Sequence, residues 1–474
     1  MTITRLLPKA ETGSLTNKAT RTAFLSEFSN GHAQSRSADD CRSGSLRYLL
    51  SAALFMILLF GSQIAYAQNY YIRSNATGAK NGSDWTNAFT NLPATLVRGD
   101  VYYIASGTYG NYTFANVSGT APVTVKKATV SDHGTNTGWN DSYANGQAVF
   151  TGWTMRMSNL VIDGQTGGGP GAWDKGHGIA VRDLSDHLIY QGGGDPAISN
   201  VTLRHIEIDG TSTASADRDL VYLTGGASDI TMQYMYIHDA GCDIFQLRNN
   251  ITRFTLEYSK VARNTSSASC HGDVFEYDSG TASDWTHRYN WFDDCEGTYL
   301  WGTHESGTFT GAKIYGNVIS GGDMANGMIS ALSGGGVISN LKFYNNTIAN
   351  VGGYNAGFNY LSRGTNNSIY NNIWYNSPAD LGGTHDYNWF YGSRTQSEAH
   401  IQNGSGSPFV DIASKNFALK AATNSGTNLG APYNVSIEGS PRGADGVWDR
   451  GAYEYGSGAG GGLVPVPANL RTVP

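Results

Sequence analysis

Seven eight-residue segments of the chain align without gaps, and their spacing constrains the fold more than any other feature. They cover 201–208, 230–237, 254–261, 285–292, 312–319, 341–348 and 367–374, with starts 29, 24, 31, 27, 29 and 26 residues apart. The last column reads Ile208, Ile237, Val261, Phe292, Ile319, Ile348, Trp374 and is apolar throughout. The third reads Leu203, Met232, Leu256, His287, Ile314, Phe343, Ile369, apolar in six of seven. Each of the first six segments is followed by a further short strand, as at 220–223, 244–247, 274–277 and 298–301. Alternation in these pieces has period two, with Gly or Asn at the turns. Such coils bury their apolar faces only by stacking on one another, which predicts an all-β parallel solenoid. An antiparallel sandwich would not keep like residues in register, and a propeller blade needs a period near 40. Asn317, Asn346 and Asn372 share the sixth column and are assigned to backbone hydrogen bonding within a turn.

Composition agrees with turns rather than helices. Charged residues make up 15% and glycine 61 of 474 positions, against roughly a quarter and about 7% in an average soluble domain. This excludes a basic nucleic-acid binder, a coiled coil and an ordinary helical enzyme. Disorder is excluded because 40% of the chain is hydrophobic. At the N-terminus, the apolar run 54–60 follows Arg47 and precedes Ala65-Tyr66-Ala67. That is the pattern of a secretory signal peptide cleaved after Ala67, and the run falls short of the roughly 20 residues of a membrane span. The patternless stretch 1–46 is too long for a normal n-region, which places the expected true start downstream. The expected organisation is a leader at 1–67, one solenoid domain at 68–455 and a Gly/Pro-rich linker at 456–474. The mature chain, a monomer with no membrane span, is expected outside the cytoplasm, extracellular or periplasmic. It retains 24 basic and 34 acidic residues, a net of −10. It also keeps Cys242, Cys270 and Cys295, whose spacing matches no zinc pattern and whose export allows one disulfide.

The scarce charge is concentrated. Alignment of the following strands puts Asp219, Asp243 and Asp273 in one column, one per coil, at about the 4.8 Å strand spacing. Like charges this close require a cation, a raised pKa or a nearby Arg. His271 precedes Asp273 by two residues and Arg248 ends the next strand. The three cysteines fall at the same corner, where a disulfide would brace it. The competing structural reading is that the aspartates cap turns by binding backbone N–H groups. Strand alternation leaves open whether Tyr222, Gln246 and Glu276 face inward or outward; if outward, Glu276 and Arg248 join the site. His205, His238, His271 and His304 recur every 33 residues but sit at different offsets within their coils, so they form no column. His205 is expected to be structural and mid-strand.

Residues 69–78, the strand 98–109 followed by 121–126, and the closing pieces 417–420 and 447–455 resemble secreted right-handed parallel β-helix proteins of the pectate-lyase-like superfamily. The resemblance spans roughly 69–455. It implies a polysaccharide-cleaving enzyme, and two chemistries suit the aspartate column. The first is Ca²⁺-dependent β-elimination on a uronate-containing glycan. There Asp219, Asp243 and Asp273 would hold the ion and His271 would be the base, with Lys260, Arg248 and Arg263 as further base candidates. The second is glycoside hydrolysis by carboxylate pairs. Asp219, Asp243 and His271-Gly272 loosely resemble the order in β-helix polygalacturonases, although the Asn-Thr-Asp and Arg-Ile-Lys runs of that type are missing. Elimination is the leading expectation, hydrolysis the alternative, and a non-catalytic carbohydrate-binding or adhesive solenoid the third. Arg248, Glu276, Tyr299 and Trp291 are the expected substrate contacts, with the two aromatic rings as sugar-stacking platforms. Trp285 is undecided, and Trp301 is expected to pack inside.

Overall fold

The computed structural model describes residues 67–456 apart from 183–186, 212–217, 267–269, 279, 303–306, 326, 332–334, 354–356 and 393–395. The leader and the tail beyond 456 lie outside the described residues, as do His304, Glu305 and the side chain of Trp301.

Three parallel sheets run the length of the solenoid, with 15, 12 and 9 strands among the described residues. Their register follows the sequence alignment. In the first sheet Leu203, Met232, Leu256, His287, Ile314, Phe343 and Ile369 pair in succession. In the second, Ile208, Ile237, Val261, Phe292, Ile319, Ile348 and Trp374 do the same. Each eight-residue repeat therefore spans two sheets. Ile198–Arg204 belongs to the first and Ile206–Asp209 to the second, with His205 between them. His205 is thus a corner residue rather than a mid-strand one. Its φ is +58°, and Tyr234, Tyr258 and Tyr289 hold the same left-handed conformation at successive corners. Non-glycine residues favour this region little. Here the rings stack along the column at centroid distances of 4.8, 5.5 and 5.2 Å, which rewards aromatic side chains.

The third sheet carries the follower strands, including Val221–Leu223, Phe245–Arg248, Phe275–Asp278 and Thr298–Gly302. Inward residues of all three sheets merge into one core running from Ile72 to Phe390. Each fully buried Leu, Ile or Phe stabilises by about 1.5–3 kcal/mol relative to exposure.

Just past the corner, Asn290, Asn317, Asn346, Asn372 and Asn388 form a continuous ladder. From Asn317 onward each Oδ1 accepts from the backbone and side-chain N–H groups of the preceding asparagine, at 2.8–3.1 Å. Each Nδ2 from Asn290 to Asn388 also donates to a strand carbonyl. Buried backbone groups demand such partners, and a stacked amide supplies them on every coil.

Candidate functional site

The site is built where the chain enters the third sheet. Val221, Phe245 and Phe275 stack in register and point into the core. Alternation then turns Tyr222, Gln246 and Glu276 outward, which settles the orientation left open above. Two residues before those core positions lie Asp219, Asp243 and Asp273, and the same register adds His187 one coil earlier and Thr298 one coil later.

The three aspartates are buried, at 7%, 1% and 0% exposure. Asp219 Oδ1 accepts from the Asp243 backbone N–H at 3.2 Å, and Asp243 Oδ1 accepts from that of Asp273 at 2.5 Å. Asp219 and Asp243 therefore cap backbone groups, but between coils rather than within a local turn. The Cys242–Cys270 disulfide closes the corner at a Cα separation of 5.8 Å, and Cys295 is a buried free thiol. His271 Nδ1 lies 2.8 Å from Asp273 Oδ2 and 4.0 Å from Asp243 Oδ1.

Charge states in the cluster diverge. Burial raises Asp219 to about 7, helped by the Glu276 charge and opposed by hydrogen bonding to the Asp243 N–H and by Arg248 and His271. Burial likewise raises Asp243, with the Glu276 charge, a hydrogen bond to Glu276 and the adjacent aspartates adding to it. Asp273 is raised by burial against the pull of His271. Glu276 goes the other way: burial would raise it, but hydrogen bonds with Asp243 and Gln246 outweigh that and hold it low. The Gln246 amide donates to Glu276 Oε2 at 2.5 Å. His271 is raised chiefly by its bond to Asp273, which stabilises its imidazolium form and weakens it as a base.

Beside these groups runs an aromatic tier. His187 stacks on Tyr222 at 4.2 Å and on Tyr190 at 5.7 Å, and the two tyrosines stack on each other at 5.7 Å. His187 and Tyr190 were missed from the sequence because the repeat was traced only from residue 201 onward. Extending the register back one coil finds both.

Other expected members lie elsewhere. Tyr299 is fully buried, with its hydroxyl 3.0 Å from His287 Nδ1, so its ring offers no face to a sugar. Trp285 is also in the core. Trp291 sits on the second sheet, its indole N–H bonded to Ser320 Oγ and the Lys260 ammonium 4.1 Å above its ring. Lys260 is paired with Asp174 and Asp293, and Arg263 with Asp239, on that same sheet. Trp291, Lys260 and Arg263 therefore lie on a different sheet from the aspartate column.

The expected Ca²⁺ takes six to eight oxygen ligands. In the column, Oδ1 of Asp219 and of Asp243 is spent on backbone N–H groups, and Asp243 shares a hydrogen bond with Glu276. The closest further donor to Asp273 is an imidazole nitrogen. Asp243, His271 and Asp273 lie close enough to share an ion, but an imidazole nitrogen and carboxylates partly spent on N–H groups fall short of the six to eight oxygens calcium takes.

No protein-family profile and no curated protein sequence matches the chain. Among solved structures it is similar to pectate lyase Pel9A, with a TM-score of 0.54 and 16% identity over 83% of this chain and 97% of that one. Weaker matches are a mannuronic acid specific polysaccharide family 6 lyase from human gut microbiota and the GH136 lacto-N-biosidase from Eubacterium ramulus. The first has a TM-score of 0.29 and 13% identity, over 71% of this chain and 83% of that one. The second has 0.34 and 11%, over 75% and 70%. The likeness to Pel9A establishes a shared parallel β-helix fold.

Proposed function

We propose that the chain is an exported glycan-cleaving enzyme that hydrolyses a glycosidic bond at the face of the third sheet, with Asp219 as general acid and Glu276 as base or nucleophile. The observation that carries this reading is the opposite displacement of two carboxyls in one cluster. Environments that push a pair apart assign the acid and the base. Asp219, protonated up to about pH 7, supplies the proton to the leaving oxygen. Glu276, ionised and held by Asp243 and Gln246, attacks the anomeric carbon or activates water. Asp243 is a positioning residue that holds Glu276 through their shared hydrogen bond. Arg248, with His271 shifted toward its imidazolium form by Asp273, adds positive charge suited to an acidic sugar, and the Tyr190–Tyr222 tier offers a stacking surface. The Cys242–Cys270 disulfide supports an oxidising compartment. The fold shared with Pel9A is compatible with this reading and does not by itself argue for it.

The test incubates the protein with a panel of neutral and uronate-containing polysaccharides. New reducing ends without unsaturated-uronate absorbance are expected, insensitive to EDTA. Glu276→Gln should lower kcat at least about 100-fold, the scale of lost acid–base catalysis, with an unchanged melting transition. Unsaturated products that EDTA abolishes would replace hydrolysis with metal-assisted elimination. Absence of cleavage across the panel would leave a binding solenoid.

A further inference from the structure

A second cluster lies on the outward face of the second sheet, away from the carboxyls above. Strands Ile206–Asp209 and Tyr236–Ala240 pair with Asp209 opposite His238. Alternation points Glu207, Asp209, Tyr236 and His238 away from the core, since Ile208 and Ile237 occupy it. One ligand atom each from Glu207, Asp209 and His238 falls within 4.8 Å of the other two.

We propose that Glu207, Asp209 and His238 bind a divalent first-row transition metal such as zinc. The argument starts from the imidazole. His238 Nδ1 is 2.6 Å from Asp239 Oδ2, and a carboxylate only accepts, so Nδ1 carries the proton. Arg263 grips both oxygens of Asp239, at 2.6 and 2.8 Å, and so fixes the carboxylate that orients the ring. Arg263 also lies 3.3 Å from Nδ1, a longer contact than the carboxylate makes. The remaining nitrogen, Nε2, is buried on a side chain only 8% exposed and has no hydrogen-bond partner. It faces Glu207 Oε1 at 3.5 Å. A lone pair aimed at a carboxylate oxygen is repulsive unless a metal cation or a second ring proton lies between them. A carboxylate-held imidazole presenting its other nitrogen is the arrangement by which proteins orient metal-binding histidines.

Asp209 Oδ1 accepts the Thr211 backbone N–H at 3.0 Å, which leaves Oδ2 of Asp209 and Oε1 of Glu207 as the ligand atoms. The Gln147 amide takes Oε2 at 2.7 Å, leaving Oε1 turned to the imidazole. Arg182 approaches Glu207 at 3.9 Å and Asp209 at 3.7 Å. Three carboxylates against two guanidinium groups leave one negative charge for a cation to offset. One nitrogen and two oxygens suit zinc or manganese better than calcium. A cavity of about 610 Å³ lined by Gln147, His177, Lys175 and Glu207 adjoins the cluster and gives an exogenous ligand access to the metal.

The test uses the untagged, EDTA-stripped protein titrated with Zn²⁺ in a calorimeter, with metal analysis after dialysis. One equivalent is expected to bind. His238→Gln should abolish binding, Asp239→Asn should weaken it 10- to 100-fold, and His271→Gln should leave it intact. Asp209→Asn provides a second ligand deletion should His238→Gln fail to fold, and it should also lose the equivalent. Three results would overturn the proposal: no saturable equivalent at neutral pH, unchanged binding in folded His238→Gln, or loss of binding in His271→Gln. In the first case a second proton on His238 occupies the gap instead.

Discussion

Asp219 and Glu276 belong to one cluster yet are displaced in opposite directions, because burial dominates one and hydrogen bonds the other. Activity should therefore depend on protonated Asp219. We expect kcat/KM to fall above about pH 7, with this limb absent from the residual activity of Asp219→Asn. Stability carries the same signature. Asp219 titrates at 3.8 when unfolded and about 7 when folded, so the folded form binds more protons between those values. Its contribution is complete below pH 3.8 and is lost as pH rises to about 7. His271, also raised by folding, contributes fully below 6.5 and loses its contribution above that. Urea midpoints of Asp219→Asn should consequently fall less between pH 4 and 7 than those of the parent; parallel curves would refute the assignment. At this scale the sequence named the column and His271 but not their charge states. Those depend on which carboxyl loses water and which gains donors.

The strand and its corner are the unit that the repeat encodes. Asn317 shows how much rests on one position. Its Oδ1 accepts two N–H groups from Asn290, and its Nδ2 donates to His287 O and Asn346 Oδ1. Asn317→Ala leaves buried groups without partners and should cost about 2–4 kcal/mol, measurable by chemical denaturation. Cys242→Ser opens a loop of 28 residues in separation and should cost about 3 kcal/mol by chain entropy, with activity reduced because the adjacent Asp243 loses its anchor. The sequence made three ladder asparagines visible. Asn290 and Asn388 extend the ladder, whereas earlier coils place Ile206, Met235 and Ser259 in that column. The break inside each repeat was not legible, because tyrosines at left-handed corners look like ordinary strand residues.

Across the whole molecule, each coil is stabilised mainly by its two neighbours, as in other solenoids. The C-terminal segment departs from this pattern and packs on the outside of the coils. Trp448 donates to Asn345 Oδ1, and Tyr433 meets Tyr315 and Tyr344 edge-on at 4.9 Å. Buried Arg442 holds it together through the carbonyls of Val435, Asp449, Gly451 and Ala452. Arg442→Met strands these acceptors. It should raise proteolytic sensitivity after residue 404 by at least tenfold while leaving the activity proposed for the third sheet nearly unchanged. Equal loss of both would mean that the closing segment supports the whole solenoid. By itself the sequence determined the parallel coil, its register and the aspartate column, because stacking forces like residues into line every 24–31 positions. Only the tertiary structure decided that the repeat bends between two sheets, that Glu276 faces outward, and that Lys260, Arg263 and Trp291 lie on another face. Repeat spacing fixes which residues stack from coil to coil. Which sheet a strand joins, and how much water its carboxyls keep, depends on corners that all three sheets share.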